Sequence, residues 1–152
     1  MIKISFNKYF FILWIAEIIF GEVNPSGKLP ITIPRSAGHL QAIYNHKPST
    51  YAHRYVDALT KNLFEFGDGL SYTEFTYSQP SLSNHSITED ESTRLSVTVT
   101  NSGDHDGYEV VQFYIRDNFS RVTRPVKELK GFQRIHLKAK QSREITFDIT
   151  NE

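Results

Sequence analysis

The chain has 152 residues, of which 39% are hydrophobic and 22% are charged, proportions that are ordinary for a globular protein. The net charge is zero, which excludes the strong positive field that gathers nucleic acid or an anionic membrane surface. The absence of cysteine excludes disulfides and thiolate metal sites. Aromatic residues, mostly Phe and Tyr, reach 13% and favour strands, because aromatic side chains pack well on a pleated surface.

The first twenty residues, MIKISFNKYFFILWIAEIIF, allow two interpretations. Lys3 and Lys8 precede an apolar run, as in a signal peptide, although Glu17 interrupts the run and no small-residue cleavage site follows. The run is too short and too broken for a membrane span. The favoured interpretation is the last turns of a buried helix, with Gly21 as its C-terminal cap and apolar residues at helical spacing, namely Trp14, Ile15, Ile18 and Ile19.

A proline-rich segment, residues 24–36, follows and is called the strap below. Its opening, NPSG, predicts a type I turn with proline at the second position and glycine at the fourth. The next stretch, LPITIP, is predicted to be extended, because Pro30 and Pro34 restrict the residues before them to extended conformations. Proline cannot donate to a central ladder, so any strand here should lie at an edge.

Residues 37–62 show poor periodicity and predict a long loop laid over another surface. The stretch LFEFGDGLSYTEF, residues 63–75, predicts a turn broken by glycines. Its three phenylalanines suggest packing against a neighbouring domain.

After Tyr72 the hydrophobic pattern changes to a period of two, which is typical of strands with one buried face. The segments FTYSQPSL, LSVTVTN, EVVQFYIRD, KELKGFQRIHL and REITFDIT predict about five strands. The alternation places nine side chains inward: Leu95, Val97, Val99, Val111, Phe113, Ile115, Ile145, Phe147 and Ile149. Strands at this spacing indicate an antiparallel sandwich of the immunoglobulin or fibronectin type III kind.

The predicted fold class is therefore mainly β: an incomplete sandwich of this kind, preceded by a short helix and a long proline-rich linking segment. An immunoglobulin-like sandwich needs about seven strands and about 100 residues. Residues 72–152 offer only about five strands, so we expect the sandwich to stop one hairpin short.

Five segments in this order closely resemble the C-terminal part of glycoside hydrolase family 3, which contains β-glucosidases and β-xylosidases. They are GEVNPSGKLPITIPRS, YNHKPS, FEFGDGLSYTEFTYS, VTVTNSGDHDGYEVVQFYIRD and SRVTRPVKELKGFQRIHL. The resemblance covers roughly Trp14 to Thr150, and NPSGKLP and FGxGLSYTxF are its most specific motifs. Asp68 departs from the family pattern, which usually has an aromatic residue or histidine there.

The resemblance implies that this chain is a piece of a larger hydrolase. In the family a barrel domain supplies the nucleophile, an α/β domain usually supplies the acid/base, and a fibronectin type III-like sandwich follows. Residues 1–35 would be the end of the α/β domain, residues 36–71 a linking loop, and residues 72–152 the sandwich, truncated at its C-terminus. No segment matches either catalytic motif, so the resemblance carries over no catalytic residue.

Acidic residues of this chain are poor substitutes for the family's catalytic pair. Glycoside hydrolysis needs two carboxyl groups across one bond, one of them buried enough to stay protonated near neutral pH. Glu89, Asp90 and Glu91 read as a solvated turn, and Asp104 and Asp106 lie in another turn. The only acids with a claim to a cleft are in the loop region: Asp57, Glu65 and Asp68.

Histidines and tyrosines have local interpretations as well. His46, His53 and His105 lack metal-ligand spacing and read as exposed polar residues, so no metal site and no cofactor is predicted. Tyr44, Tyr51 and Tyr55 are residue types that stack on sugar rings. The favoured interpretation is that they anchor the loop to the missing domain, because such aromatics are common at interfaces.

The sequence thus predicts the non-catalytic C-terminal part of a β-glucosidase-like hydrolase, inactive alone. The alternative is a stand-alone carbohydrate-binding or structural sandwich. Expected partners are the upstream barrel and α/β domains, carbohydrate, and a second copy through an exposed sheet edge, but not nucleic acid. The family resemblance suggests a periplasmic or secreted location.

Overall fold

A computed structural model describes residues 8–39, 42–48, 61–88 and 90–150 of the chain. Along these ranges the elements are one helix, α1 (Lys8–Ile19), and six strands. The strands are β1 (Phe75–Tyr77), β2 (Ser81–Leu82), β3 (Thr93–Asn101), β4 (Gly107–Ile115), β5 (Glu128–Leu137) and β6 (Ser142–Ile149). The fold class is as predicted, mainly β with antiparallel pairing and one short helix.

The chain divides into two compact units. The first contains residues 1–26, 71–109 and 136–152, and the second contains residues 27–70 and 110–135. The division falls within β4 and within β5, so each of these strands contributes to both units.

Helix α1 and its predicted glycine cap are confirmed. Gly21 has φ of 82°, which is accessible to glycine without a Cβ penalty. Its N–H bonds to the carbonyl of Ile18, and the N–H of Glu22 bonds to the carbonyl of Glu17, the two bonds of a Schellman motif. The apolar residues are not buried as the sequence suggested, since Trp14 is 53% exposed and Ile19 is 68% exposed. No helix in the described ranges is long and apolar enough to cross a membrane.

The first unit is organised around β3, which pairs antiparallel with three other strands. β1 and β2 flank it on one side, and β6 pairs with it over eight residues, from Thr93 opposite Ile149 to Thr100 opposite Ser142. One prediction needs correction here, because FTYSQPSL forms two short strands rather than one. Pro80 lies between them and has no N–H to continue the ladder to β3.

The predicted inward set is confirmed. None of the nine side chains is exposed, and three of them, Val99, Val111 and Ile145, are almost completely buried. Leu137 completes the apolar core of the first unit, and Ile135 that of the second. The opposite face of the β3–β6 pair is polar, with Arg94 opposite Asp148 and Ser96 opposite Thr146. A shift of one residue would exchange these faces, so the pattern fixes the register.

The predicted type I turn at the start of the strap is wrong, since residues 24–27 adopt no turn. Asn24 instead forms long-range hydrogen bonds within the first unit. Its side-chain oxygen accepts hydrogen bonds from the N–H of Tyr72 (2.9 Å) and the hydroxyl of Ser71 (3.0 Å), and its amide donates to the carbonyl of Asp106 (3.1 Å). These long-range bonds determine the local backbone in place of the turn preference.

Candidate functional site

The strap and the loop 63–68 pair with each other in the second unit. The N–H of Ile33 bonds to the carbonyl of Phe64 (2.9 Å), and the N–H of Leu63 bonds back to the carbonyl of Ile33 (3.0 Å). Four residues earlier in the strap, Leu29 exchanges a second pair of bonds with Gly67 and Asp68. The extended conformation predicted for LPITIP is therefore confirmed at Ile33, which forms an isolated antiparallel bridge with Phe64.

Gly67 lets this loop approach β4 closely. Its φ of 88° lies in the left-handed region, and a Cβ at this position would stand 2.3 Å from the side-chain oxygen of Gln112. The amide of Gln112 donates to the carbonyl of Gly67 (3.0 Å), while the Tyr114 hydroxyl donates to the side-chain oxygen of Gln112. A side chain in place of this glycine would strain the backbone and displace Gln112.

An aromatic cluster forms beside this contact. Tyr44 stacks on Phe66 with ring centres 4.1 Å apart. Tyr44 and Tyr114 are in an edge-to-face arrangement with ring centres 6.2 Å apart. Lys127 lies 5.0 Å from the centre of the Tyr114 ring, within range of a cation–π interaction. Burial, Tyr44 and Asp68 together raise the pKa of Tyr114, so its hydroxyl stays protonated. Tyr44 thus anchors its loop to residues of this chain, and its predicted contact with an upstream domain stays a prediction.

Two of the three loop acids are used locally. The carboxylate of Asp68 accepts the N–H of Glu65 (2.8 Å), and the carboxylate of Glu65 accepts both bonds offered by the amide of Asn62. These contacts shape the turn that presents Gly67. Asp57 lies outside the described residues, as do Tyr51, Tyr55, His53 and Glu89.

Other described carboxyl groups show the opposite of what a proton donor needs. The pKa of Asp104 is lowered by Lys140, that of Asp148 by Arg94, and that of Glu91 by hydrogen bonds from Thr88. A catalytic acid requires a raised pKa so that it still holds a proton near neutral pH. These three carboxylates instead stay ionised and tie neighbouring segments together.

Glu109 is a buried acid that the sequence analysis did not single out. It is 8% exposed and accepts a hydrogen bond from the Tyr77 hydroxyl (3.0 Å). Burial and the charge and hydrogen bond of Glu109 raise the pKa of Tyr77 well above its ordinary value. The pair links β1 to β4 within the first unit and supplies a structural bond.

Two of the three histidines that the sequence singled out, His46 and His105, are described, and both are exposed. The ring Nδ1 of His46 lies 2.9 Å from the carbonyl of Lys47. Within the described ranges, no group of three or more His, Asp or Glu side chains is placed to hold a metal ion.

One open depression in the first unit brings two carboxyl groups to the same surface. It is lined by Glu22 and Asp106 together with Asn24, Tyr72 and His105. Both acids are exposed, and Asp106 already accepts the N–H of Ala139 (2.9 Å). Glycoside hydrolysis needs a carboxyl group buried enough to hold a proton, and neither acid of this depression is buried.

Two family models match successive parts of this chain. The Glycosyl hydrolase family 3 C-terminal domain matches residues 14–72, and the Fibronectin type III-like domain matches residues 109–152. The periplasmic beta-glucosidase of Salmonella typhimurium is 43% identical over 91% of this chain but only 19% of its own length. A beta-xylosidase of Formosa agariphila is 43% identical over 89% of this chain and 19% of its own length.

Solved structures agree with the sequence relatives. A beta-glucosidase from Erythrobacter marinus superposes with a TM-score of 0.86 at 44% identity, covering 91% of this chain and 18% of that one. A beta-glucosidase from Listeria innocua in complex with glucose gives a TM-score of 0.82 at 35% identity over 90% of this chain and 20% of that one. This chain thus spans about one fifth of the length of the relatives it matches. With both domain matches in family order, it belongs to glycoside hydrolase family 3, to whose C-terminal region it corresponds.

Proposed function

We propose that the chain is the non-catalytic C-terminal part of a β-glucosidase-like hydrolase that cleaves O-glycosidic bonds in its full-length form. The observation that carries the proposal is the pair of domain matches in family order, in a chain that aligns with one fifth of each relative. The described acids support a non-catalytic role, because those with shifted pKa values hold their protons less tightly than usual. Substrate and linkage specificity would then reside in the upstream domains.

The role of the chain would be to support the domain that precedes it. Residues 1–35 would end an α/β domain, residues 36–71 would link, and residues 72–152 would form the sandwich. Helix α1 fits this role, since a helix that is apolar on all sides normally lies inside a larger protein. Here Leu13, Trp14 and Phe20 are each more than half exposed and would be covered by the barrel and α/β domains.

The same relatives suggest a cellular location. The name of the Salmonella relative includes the word periplasmic, and we propose a periplasmic or secreted location for this chain as well. Carbohydrate would be bound by the full-length enzyme. Purified by itself, the chain should associate with further copies through an exposed sheet edge, because such edges template pairing.

A glycosidase assay tests the non-catalytic role. The purified chain should not hydrolyse aryl β-glucosides or aryl β-xylosides above a mock preparation, while the Salmonella relative serves as the active control. Three variants guard against contamination: Asp57→Asn, Glu65→Gln and Asp68→Asn. Turnover that follows the purified chain and disappears in one of these variants would overturn the proposal and assign catalysis to the loop acids.

A further inference from the structure

A depression at the C-terminal end of α1 carries polar groups that the support role of the chain does not use. It lies wholly within the first unit and is lined by the residues already named, Gly21, Glu22, Asn24, Tyr72, His105 and Asp106. Its volume is about 380 Å³. Sites for small molecules span about 300–1,000 Å³, so this depression is large enough for one small ligand.

Bonds from neighbouring segments hold the walls of this depression in place. The Tyr72 hydroxyl donates to the carbonyl of Ile18 in α1, and the Tyr72 N–H donates to the side chain of Asn24. Asn24 also donates to the carbonyl of Asp106, whose carboxylate accepts the N–H of Ala139. The aromatic ring and this carboxylate are therefore positioned before any ligand arrives, which lowers the entropy cost of binding.

Several groups of the depression remain available to a ligand. Within the described part of the chain, no hydrogen bond uses the carboxylate of Glu22 or the ring of His105, and the carboxylate of Asp106 forms one. Tyr72 is 49% exposed although its hydroxyl is bonded, so part of its ring faces solvent. The surface thus combines hydrogen-bond acceptors, an imidazole and a half-exposed aromatic ring.

We propose that this depression binds a neutral sugar and does not hydrolyse it. Ionised carboxylates only accept hydrogen bonds, so a ligand of Glu22 and Asp106 must supply the donors, as sugar hydroxyls do. The C–H face of a sugar ring is apolar and packs on an aromatic ring such as that of Tyr72. The inference rests on the proposed function only for the choice of sugar, a β-glucoside, because several relatives are named β-glucosidases.

Charged ligands fit this depression less well. An anion would be repelled by the carboxylates of Glu22 and Asp106. An organic cation would be attracted by them, but both acids are exposed, so water and salt screen their charge and an ion pair with one cation is weak. The imidazole of His105 donates to a hydroxyl oxygen in reach, whereas its protonated form repels a cation. A neutral ligand with several hydroxyls therefore uses more of the available groups than a cation does.

Titration of the full chain with methyl β-glucoside, followed by amide shifts in nuclear magnetic resonance, tests the site. The native chain should bind with a dissociation constant in the millimolar range, and the shifts should centre on Gly21, Tyr72 and Asp106. Glu22→Gln removes a charged acceptor without breaking any described bond and should raise the dissociation constant by about tenfold. Glu144→Gln, an exposed acid on β6, is the matched control and should bind like the native chain.

His105→Ala provides a second readout if Glu22→Gln fails to fold, because the bond from Asn101 reaches the backbone carbonyl of His105 and survives the change. This variant should also bind the sugar more weakly than the native chain. Absence of shifts with the sugar, native-like affinity in both variants, or binding of methylguanidinium in place of the sugar contradicts the proposal. The readout is binding and not turnover, so failure of the sugar site and failure of the proposed hydrolase role are distinguishable.

Discussion

At the scale of single residues, the side chain of Asn101 forms four hydrogen bonds to distant and neighbouring groups. It is fully buried at the end of β3. Its side-chain oxygen accepts from the Thr73 hydroxyl (2.6 Å) and the N–H of Gly103 (3.2 Å). Its amide donates to the carbonyl of His105 (2.8 Å) and the carbonyl of Leu137 (3.3 Å). One side chain thereby joins the segment before β1, the turn after β3 and the end of β5.

Replacing Asn101 with alanine should destabilise the chain by about 2–4 kcal/mol, because buried groups would be left without partners. Chemical unfolding monitored by circular dichroism measures this loss. Asn118→Ala, in the exposed loop after β4, is the matched control and should change the free energy of unfolding by less than about 0.5 kcal/mol. Equal stability of the two variants would show that the Asn101 network contributes little.

Features of single residues could be predicted from the sequence where their hydrogen-bond partners lie nearby in the chain. They were missed where the partners lie far along the chain. Gly21 could be identified as a helix cap because it follows directly after the apolar run that forms the helix. Asn24 was assigned to a turn by its neighbours, but its partners, Tyr72 and Asp106, lie far along the chain. Asn101 gave a signal only as an asparagine opening a turn, and nothing in the sequence indicated its bonds to Thr73 and Leu137.

At the scale of elements, the pairing of β3 with β6 follows from the alternation of apolar and polar residues. Leu95 lies opposite Phe147 and Val97 opposite Ile145 on the inward face. The alternation could be read from the sequence because its period is local. The break at Pro80 was underestimated, since the strong pattern on either side concealed the cost of a missing N–H.

The outward face of the same pair predicts a pH dependence. Arg94 and Asp148 are cross-strand partners with 2.7 Å between nitrogen and oxygen, and Arg94 lowers the pKa of Asp148 below its ordinary 3.8. A lowered folded-state pKa contributes stability above the unfolded pKa, and this stability is lost as the pH falls through the folded pKa. The free-energy difference between the native chain and Asp148→Asn should therefore be small at neutral pH and vanish in acid.

Unfolding in urea at several pH values below and above 3.8 measures that difference. Glu144→Gln is the control, because this exposed acid lies on the same strand opposite the uncharged Thr98. A difference that grows as the pH falls would mean that the pair does not stabilise the β3–β6 ladder.

At the scale of the whole molecule, the family was predictable and the interior contacts were not. Motifs such as NPSGKLP and FGxGLSYTxF identify the family because each combines turn residues and apolar residues in a fixed order. The structure shows why the two motifs occur in one chain. Leu29 and Ile33 of the strap form backbone hydrogen bonds with residues 63–68 of the loop. Which residues would meet upstream domains stays a prediction, and exposed α1 is the principal candidate.

Replacing the matching region of the Salmonella relative with this chain tests the central claim most directly. The shortened relative without that region should lose hydrolysis of an aryl β-glucoside, because its upstream domains would lack their support. The chimaera should recover turnover, with the catalytic groups supplied by the Salmonella part and the support supplied by this chain. A folded chimaera that is no more active than the shortened relative, or a shortened relative as active as the whole protein, would contradict the account.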